Sequence, residues 1–228
     1  MRHKLSERDL RVLRLIVIRH AQTVWNATGR IQGQADPELS EVGREQCELV
    51  AQRLAAVDLD ALYTSDLSRA SETAEAIARL HPGLAAQLDS DLREVDLGEW
   101  EGADRDSLQR GWPDLFAQWL KSPSWDMVPG GEGSAAFEDR VVRCFGRIAA
   151  DAGDQATVAV VTHIGVLRCL LSKIVGISAG SLRFPWAVDN TALTVLRGPV
   201  DRARWLTPEM EIVAINDNLH LRSAERVA

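Results

Sequence analysis

The chain has 228 residues, 46% hydrophobic and 26% charged, a composition that supplies a buried core without disulfides or metals. Its 26 basic and 33 acidic residues leave a net charge of −7, which argues against a nucleic-acid or membrane partner. Any anion-binding site in such a chain has to gather its arginines locally. Cys47, Cys144 and Cys169 form no CxxC pair and read as reduced thiols. The polar N-terminus lacks the apolar run of a signal peptide, and the apolar stretches fall short of a membrane span, so a cytoplasmic protein is expected.

In chain order, residues 1–12 read as a loosely attached leader. Leu15-Ile16-Val17-Ile18 is a strand buried on both faces, as in a parallel sheet. Asn26 to Pro37 reads as loop. Ser40 is an N-cap for a helix whose apolar face is Cys47, Val50, Leu54 and Val57. Ala61–Thr64 is a second strand, and Ser65 or Asp66 caps the next helix, with Ala70, Thr73, Ala74, Ile77 and Leu80 on one face. Residues 103–133, with Trp112, Phe116, Trp119 and Trp125 among Pro and Gly, read as a cap-like insertion. A long helix follows with Phe137, Val141, Phe145 and Ile148 on one side. Val158–Val161 is a further buried strand, a helix runs from about Val166 to Val175, and Thr191–Leu196 and Glu211–Ile215 are late strands. This alternation predicts an α/β protein: a three-layer α/β/α sandwich with a mainly parallel sheet, one domain over 1–228 carrying the inserted cap.

Two apolar strands end alike. The first runs into Arg19-His20, the later one into Thr162-His163. Ligands of open α/β sheets bind outside the carboxyl ends of the strands, so both histidines face one crevice if the strands are neighbours. The plainer reading of either alone is an isolated polar residue at a strand end. Arg69, at a helix start, suits an oxyanion, though a solvated surface arginine is the commoner case. Glu94 stands near Asp96, Glu99 and Glu101, and spacing does not choose among these carboxylates.

Several blocks resemble the histidine phosphatase (phosphoglycerate mutase-like) superfamily. They are Arg19-His20-Ala21-Gln22-Thr23 with Asn26, Arg30-Ile31-Gln32-Gly33, Leu39-Ser40-Glu41-Val42-Gly43, Ser65–Ala70, Leu92-Arg93-Glu94 through Gly98-Glu99-Trp100-Glu101-Gly102, Pro129-Gly130-Gly131-Glu132, and Val161-Thr162-His163. The resemblance implies that His20 is the nucleophile, that Arg19, Arg69 and His163 bind the phosphoryl oxygens, and that Glu94 gives a proton to the leaving oxygen. It implies that Asn26 and Gln32 line the pocket, and Thr23 and Gly33 belong to the same blocks as substrate-side residues. Ile164 stands where the family commonly has Gly or Asn, but its backbone N–H still suits the phosphoryl group. The implied partner is a small phosphomonoester, with no cofactor and no metal.

The stretch after Glu94 resembles the phosphatase branch. The alternative within the superfamily is a cofactor-dependent phosphoglycerate mutase. Outside it stand a metallohydrolase built on two histidines and a carboxylate, which nearby arginines would repel, and a non-catalytic phospho-ligand module. The tryptophans of 103–133 either line a substrate pocket or pack the insertion onto the body. Phe184-Pro185-Trp186 either borders the site or forms an interface, and a homodimer through a late edge strand is compatible with the pattern.

Overall fold

A computed structural model describes residues 12–177, 187–199 and 209–222. Residues 1–11 of the leader read over 1–12, and Phe184-Pro185-Trp186, lie outside the described residues, while Val12 already belongs to the first strand. Among the described residues six strands form one sheet: β1 (Val12–Arg19), β2 (Ala61–Thr64), β3 (Ala86–Leu88), β4 (Thr157–Thr162), β5 (Leu193–Pro199) and β6 (Glu211–Asp217). The helices are α1 (Val24–Thr28), α2 (Glu41–Leu54), α3 (Ser68–Arg79), α4 (Arg105–Gly111), α5 (Pro113–Lys121), α6 (Gly133–Asp151), α7 (Ile164–Val175) and α8 (Leu219–Arg222).

The spatial strand order is β3-β2-β4-β1-β5-β6. The pairings β3–β2, β2–β4 and β4–β1 are parallel, while β1–β5 and β5–β6 are antiparallel, so the sheet is mainly parallel. The period-2 alternation of β1 divides the core. Leu13, Leu15 and Val17 join α6 and α7 on one face, whereas Ile16 and Ile18 join α2 and α3 on the other. Each buried strand therefore reads as an unbroken apolar run, and the chain forms the expected three-layer sandwich.

Several boundaries differ from the sequence reading, each for a physical reason. The stretch read as loop from Asn26 begins inside α1, which Thr23 caps by accepting from the Asn26 N–H. Ser40 does cap α2, its hydroxyl accepting from Gly43 N–H at 3.0 Å, but the helix stops at Leu54 and leaves Val57 beyond it. Neither Ser65 nor Asp66 caps α3. The Asp36 carboxylate, 32 positions back, receives the Ser68 N–H instead, at 2.9–3.0 Å. Leu80, expected on the apolar face, sits past the helix end, 43% exposed. Phe116 and Trp119 of 103–133 interlock with Trp100: Trp119 meets Trp100 edge-on at 5.8 Å and stacks on Phe116 at 6.1 Å. Phe116 is buried in the larger core cluster, and Trp112 and Trp119 pack against it. Of the tryptophans in the insertion, Trp125 is the one that reaches the site cavity.

Candidate active site

β1 and β4 are neighbours in register, with Arg19 beside Thr162, so their carboxyl ends open on one edge of the sheet. His20 and His163 leave those ends with ring centroids 5.1 Å apart. A cavity of about 200 Å³ lies there, lined by Arg19, His20, Asn26, Gln32, Gly33, Arg69, Glu94 and Ile164 among others. Thr23 is not on its wall. Its buried hydroxyl lies behind Asn26 and Gln32, donating to Gln32 Oε1 at 2.8 Å.

His20 is 3% exposed. Its Nδ1 faces the Ala21 carbonyl at 2.7 Å, which assigns the proton to Nδ1 and leaves the Nε2 lone pair free. Burial, then the charges of Arg69 and Arg19, hold this imidazole well below its ordinary pKa, so it stays neutral and nucleophilic. His163 is held well below its ordinary value by burial, then by Arg69 and His20, and both its ring nitrogens lack a partner among the described residues.

The arginines are gripped from behind. Arg69, fully buried near the start of α3, donates Nη1–H to Ala35 O and Nη2–H to Gly33 O, both at 2.7 Å. Arg19 donates to Val188 O at 2.6 Å. Burial lowers both guanidinium pKa values, that of Arg19 to about 10, which still leaves a cation at neutral pH. The Nε–H of each is buried and has no partner among the described residues. Buried donors left without acceptors around one cavity are the mark of a site that expects an anion.

Glu94 is 8% exposed, and each carboxyl oxygen takes one main-chain N–H: Oε1 from Val95 at 2.9 Å and Oε2 from Gly165 at 3.0 Å. A Cβ on residue 165 would stand 2.1 Å from Glu94 Oε1, so only glycine admits the carboxyl group here. Arg140, on α6, holds the backbone that carries Glu94. It donates to the carbonyls of Asp91, Arg93 and Glu94 at 3.0, 2.7 and 2.7 Å and pairs with Glu132. Glu132 in turn accepts the Asp96 N–H at 2.8 Å. Glu101 receives the N–H groups of Gln34 and Ala35 at 2.6 and 2.8 Å, shaping the turn whose carbonyls grip Arg69. Gly33 makes that turn at φ +53° with Glu101 where a Cβ would sit.

Among the described residues no group of three His, Cys, Asp or Glu side chains is arranged to hold a metal ion. What the cavity offers is a neutral nucleophilic nitrogen, guanidinium donors aimed inward and a nearly buried carboxyl group. The family described as the histidine phosphatase superfamily (branch 1) matches residues 15–209. The chain belongs to the histidine phosphatase superfamily. Among this superfamily member's relatives, phosphoserine phosphatase 1 of Hydrogenobacter thermophilus is 32% identical over 185 residues, covering 81% of this chain and 86% of that protein. The phosphoglycerate mutase-like protein 4 of Arabidopsis thaliana is 33% identical over 196 residues, covering 85% and 83%. A mycobacterial glucosyl-3-phosphoglycerate phosphatase structure superposes with a TM-score of 0.79 at 27% identity, covering 91% of this chain and all of that one.

Two features of the cavity escaped the sequence reading. Arg168 and Arg30 both line it. Arg168 lies four residues after Ile164 on α7, one helical turn on, so it becomes visible once His163 is recognised as the residue that starts that helix. The supporting layer of Arg140, Glu132 and Glu101 had a sequence signal, the Gly-Gly-Glu and Gly-Glu-Trp-Glu-Gly blocks, but no indication of what each carboxylate holds.

Proposed function

We propose that the protein hydrolyses a small phosphomonoester in two steps through a phosphohistidine on His20. Membership of the superfamily, with phosphatases among its relatives, makes the chain a phosphoric monoester hydrolase. The observation that carries the mechanism is the Nδ1–H of His20 tied to the Ala21 carbonyl, which turns the Nε2 lone pair into the free end of a neutral ring between two inward-facing guanidiniums.

In the first step Nε2 attacks phosphorus, the P–N bond forms, and the P–O bond to the alcohol breaks. Glu94 gives its proton to the departing oxygen. Arg19, Arg69 and His163 donate to the equatorial oxygens, where charge accumulates in flight. In the second step Glu94 takes a proton from water, the water oxygen attacks phosphorus, and the P–N bond breaks to release phosphate. Asn26 and Gln32 fit the cavity wall as polar contacts, and the Ile164 side chain borders the substrate body.

The same reading makes this a cytoplasmic, single-domain protein in which residues 103–133 cap the cavity. Among the described residues no helix is long and apolar enough to cross a membrane. A homodimer through the β6 edge belongs to the proposal and is checked by sedimentation.

The test is to trap the protein during turnover of p-nitrophenyl phosphate and look for a phosphoryl group stable in alkali and lost in acid, as a phosphoramidate is. It should be present in the wild type and absent in His20→Ala, which should retain its fold and lose turnover. Unchanged phosphate release by His20→Ala would overturn the assignment. Incubation with 3-phosphoglycerate, with and without 2,3-bisphosphoglycerate, separates hydrolysis from mutase activity: release of phosphate is expected, and isomerisation to 2-phosphoglycerate as the main reaction would refute it.

A further inference from the structure

Past the His20 N–H, which still donates to Thr162 O at 2.8 Å, the chain that carries the nucleophile leaves the strand ladder. Its next peptide groups are held by side chains from three separate parts of the fold. His20 O accepts from Asn190 Nδ2 at 2.8 Å, and the Ala21 N–H donates to Thr73 Oγ1, on α3, at 3.1 Å. The Thr73 hydroxyl itself donates to Arg69 O at 2.7 Å. The Gln22 N–H donates to Gln46 Oε1, on α2, at 2.9 Å.

The last of these contacts bears directly on the nucleophile. A trans peptide is planar, with its C=O and N–H pointing in opposite directions. The Ala21 C=O and the Gln22 N–H belong to one such plane, and the Ala21 oxygen is the acceptor for His20 Nδ1 at 2.7 Å. Holding the N–H therefore fixes the carbonyl. If the plane turned over, an N–H would face Nδ1 in place of an oxygen. Nδ1 would then have to accept, the ring proton would move to Nε2, and the lone pair that attacks phosphorus would be lost. Seating α2 on this turn does not require Gln46. Ser40 does it, with its N–H on Gln22 O at 2.9 Å and its hydroxyl on Gln22 Oε1 at 2.8 Å. Gly43 comes so close that a Cβ there would stand 1.9 Å from Gln22 O.

We infer that Gln46 is a positioning residue for the nucleophile: by accepting the Gln22 N–H it keeps the Ala21 carbonyl on His20 Nδ1, and so keeps the ring in the tautomer that attacks. This rests on the phosphohistidine reading above and extends it to a side chain on α2 that does not line the cavity. Loss of Gln46 slows the step that forms the P–N bond. It leaves untouched the grip of Arg19 and Arg69 on the phosphoryl oxygens, because the acceptors behind those guanidiniums lie at residues 33, 35 and 188.

The test uses the full chain with ¹⁵N-labelled histidine at pH 7.5, where the His20 ring is neutral. The protonated and unprotonated ring nitrogens give separate ¹⁵N signals, and His20→Ala identifies the pair that belongs to His20. The wild type should carry its proton on Nδ1. Gln46→Met keeps the length of the side chain and removes the oxygen. It should place most of the ring in the Nε2–H form and lower kcat/KM for p-nitrophenyl phosphate by about 10- to 100-fold. Competitive inhibition by inorganic phosphate should stay within about threefold. Gln46→Glu returns an acceptor oxygen and should recover the wild-type tautomer, with kcat/KM within about threefold. Gln46→Ala, a change that favours the helix, should repeat the Gln46→Met result even if the thioether packs poorly. An unchanged tautomer in Gln46→Met and Gln46→Ala, with or without a loss of activity, or an equal loss in Gln46→Glu, would overturn the inference while leaving the phosphohistidine reading intact. Absence of a phosphoryl group on His20 in the wild type during turnover would instead sink that reading and this inference with it.

Discussion

Lowering the pH from 7.5 to 5.5 should unfold this protein more readily through two of its buried histidines. His20 and His163 are both held well below the ordinary value of about 6.5. In the unfolded chain each takes up a proton near pH 6.5, whereas in the folded protein each stays neutral. The unfolded state therefore binds more protons below that point, and stability falls as the pH falls. At pH 5.5, one unit below the unfolded value, each histidine contributes a loss of about 1.4 kcal/mol, or roughly 2.8 kcal/mol for the pair. His220, shifted the same way by burial, adds to the loss equally in every variant. Carboxylates held low by partners, such as Asp66 against Arg93 and Asp89 against Arg147, stay largely ionised in both states over this interval. The assay is urea unfolding in phosphate-free buffer at pH 7.5, 6.5 and 5.5 for the wild type, His20→Asn and His163→Asn. Each variant should lose about 1.4 kcal/mol less than the wild type between the extremes, whatever its stability at pH 7.5. Identical pH dependence in all three proteins would show that these imidazoles are not buried neutral, and would remove the basis for His20 as a ready nucleophile.

Gly165→Ala forces the Glu94 carboxyl out of place, since the new Cβ would stand 2.1 Å from Oε1. Turnover of an alkyl phosphate should fall about 100-fold or more, and that of p-nitrophenyl phosphate much less, because nitrophenolate leaves without a proton; equal losses on both substrates would rule out displacement of the acid. Arg140→Met leaves the Glu132 carboxylate without its cation and three carbonyls without their donor. It should cost about 2–4 kcal/mol in chemical denaturation and steepen the leaving-group dependence in the same sense as Gly165→Ala. Phe116→Ala should cost about 3 kcal/mol or more with KM unchanged, whereas Trp125→Ala should raise KM severalfold with stability within about 1 kcal/mol. A KM effect at Phe116 would mean that the aromatic cluster touches substrate.

The strands and the histidines at their ends were legible because period and chemistry coincide. A short apolar run rich in β-branched residues fits a strand buried on both faces, and a polar pair placed just after it falls at the strand's carboxyl end. Neighbouring of β1 and β4 was a condition in the sequence and became a register in the structure. What stayed hidden was long-range. Asp36 caps a helix 32 residues later, a partnership no local signal announces. Glu99 and Glu101 look equivalent in sequence, yet Glu101 collects main-chain N–H groups from the turn at Gln34. Tryptophan content marked 103–133 as distinctive, but whether an indole faces core or cavity depends on the element that carries it: Trp119 lies on α5, and Trp125 lies in the turn beyond that helix.

The acceptors behind Arg69 and Arg19 are the main-chain oxygens of residues 33, 35 and 188. Every amino acid supplies such an oxygen, so no side-chain replacement at Ala35 or Val188 deletes the grip as long as the backbone path survives. The clamp is thus encoded in the course of the chain more than in the identity of its partners. Variation at those two positions should be silent for phosphoryl binding, and inherited loss of the clamp should map to changes that bend the path: at Gly33, whose φ requires glycine, and at Glu101, which anchors the turn.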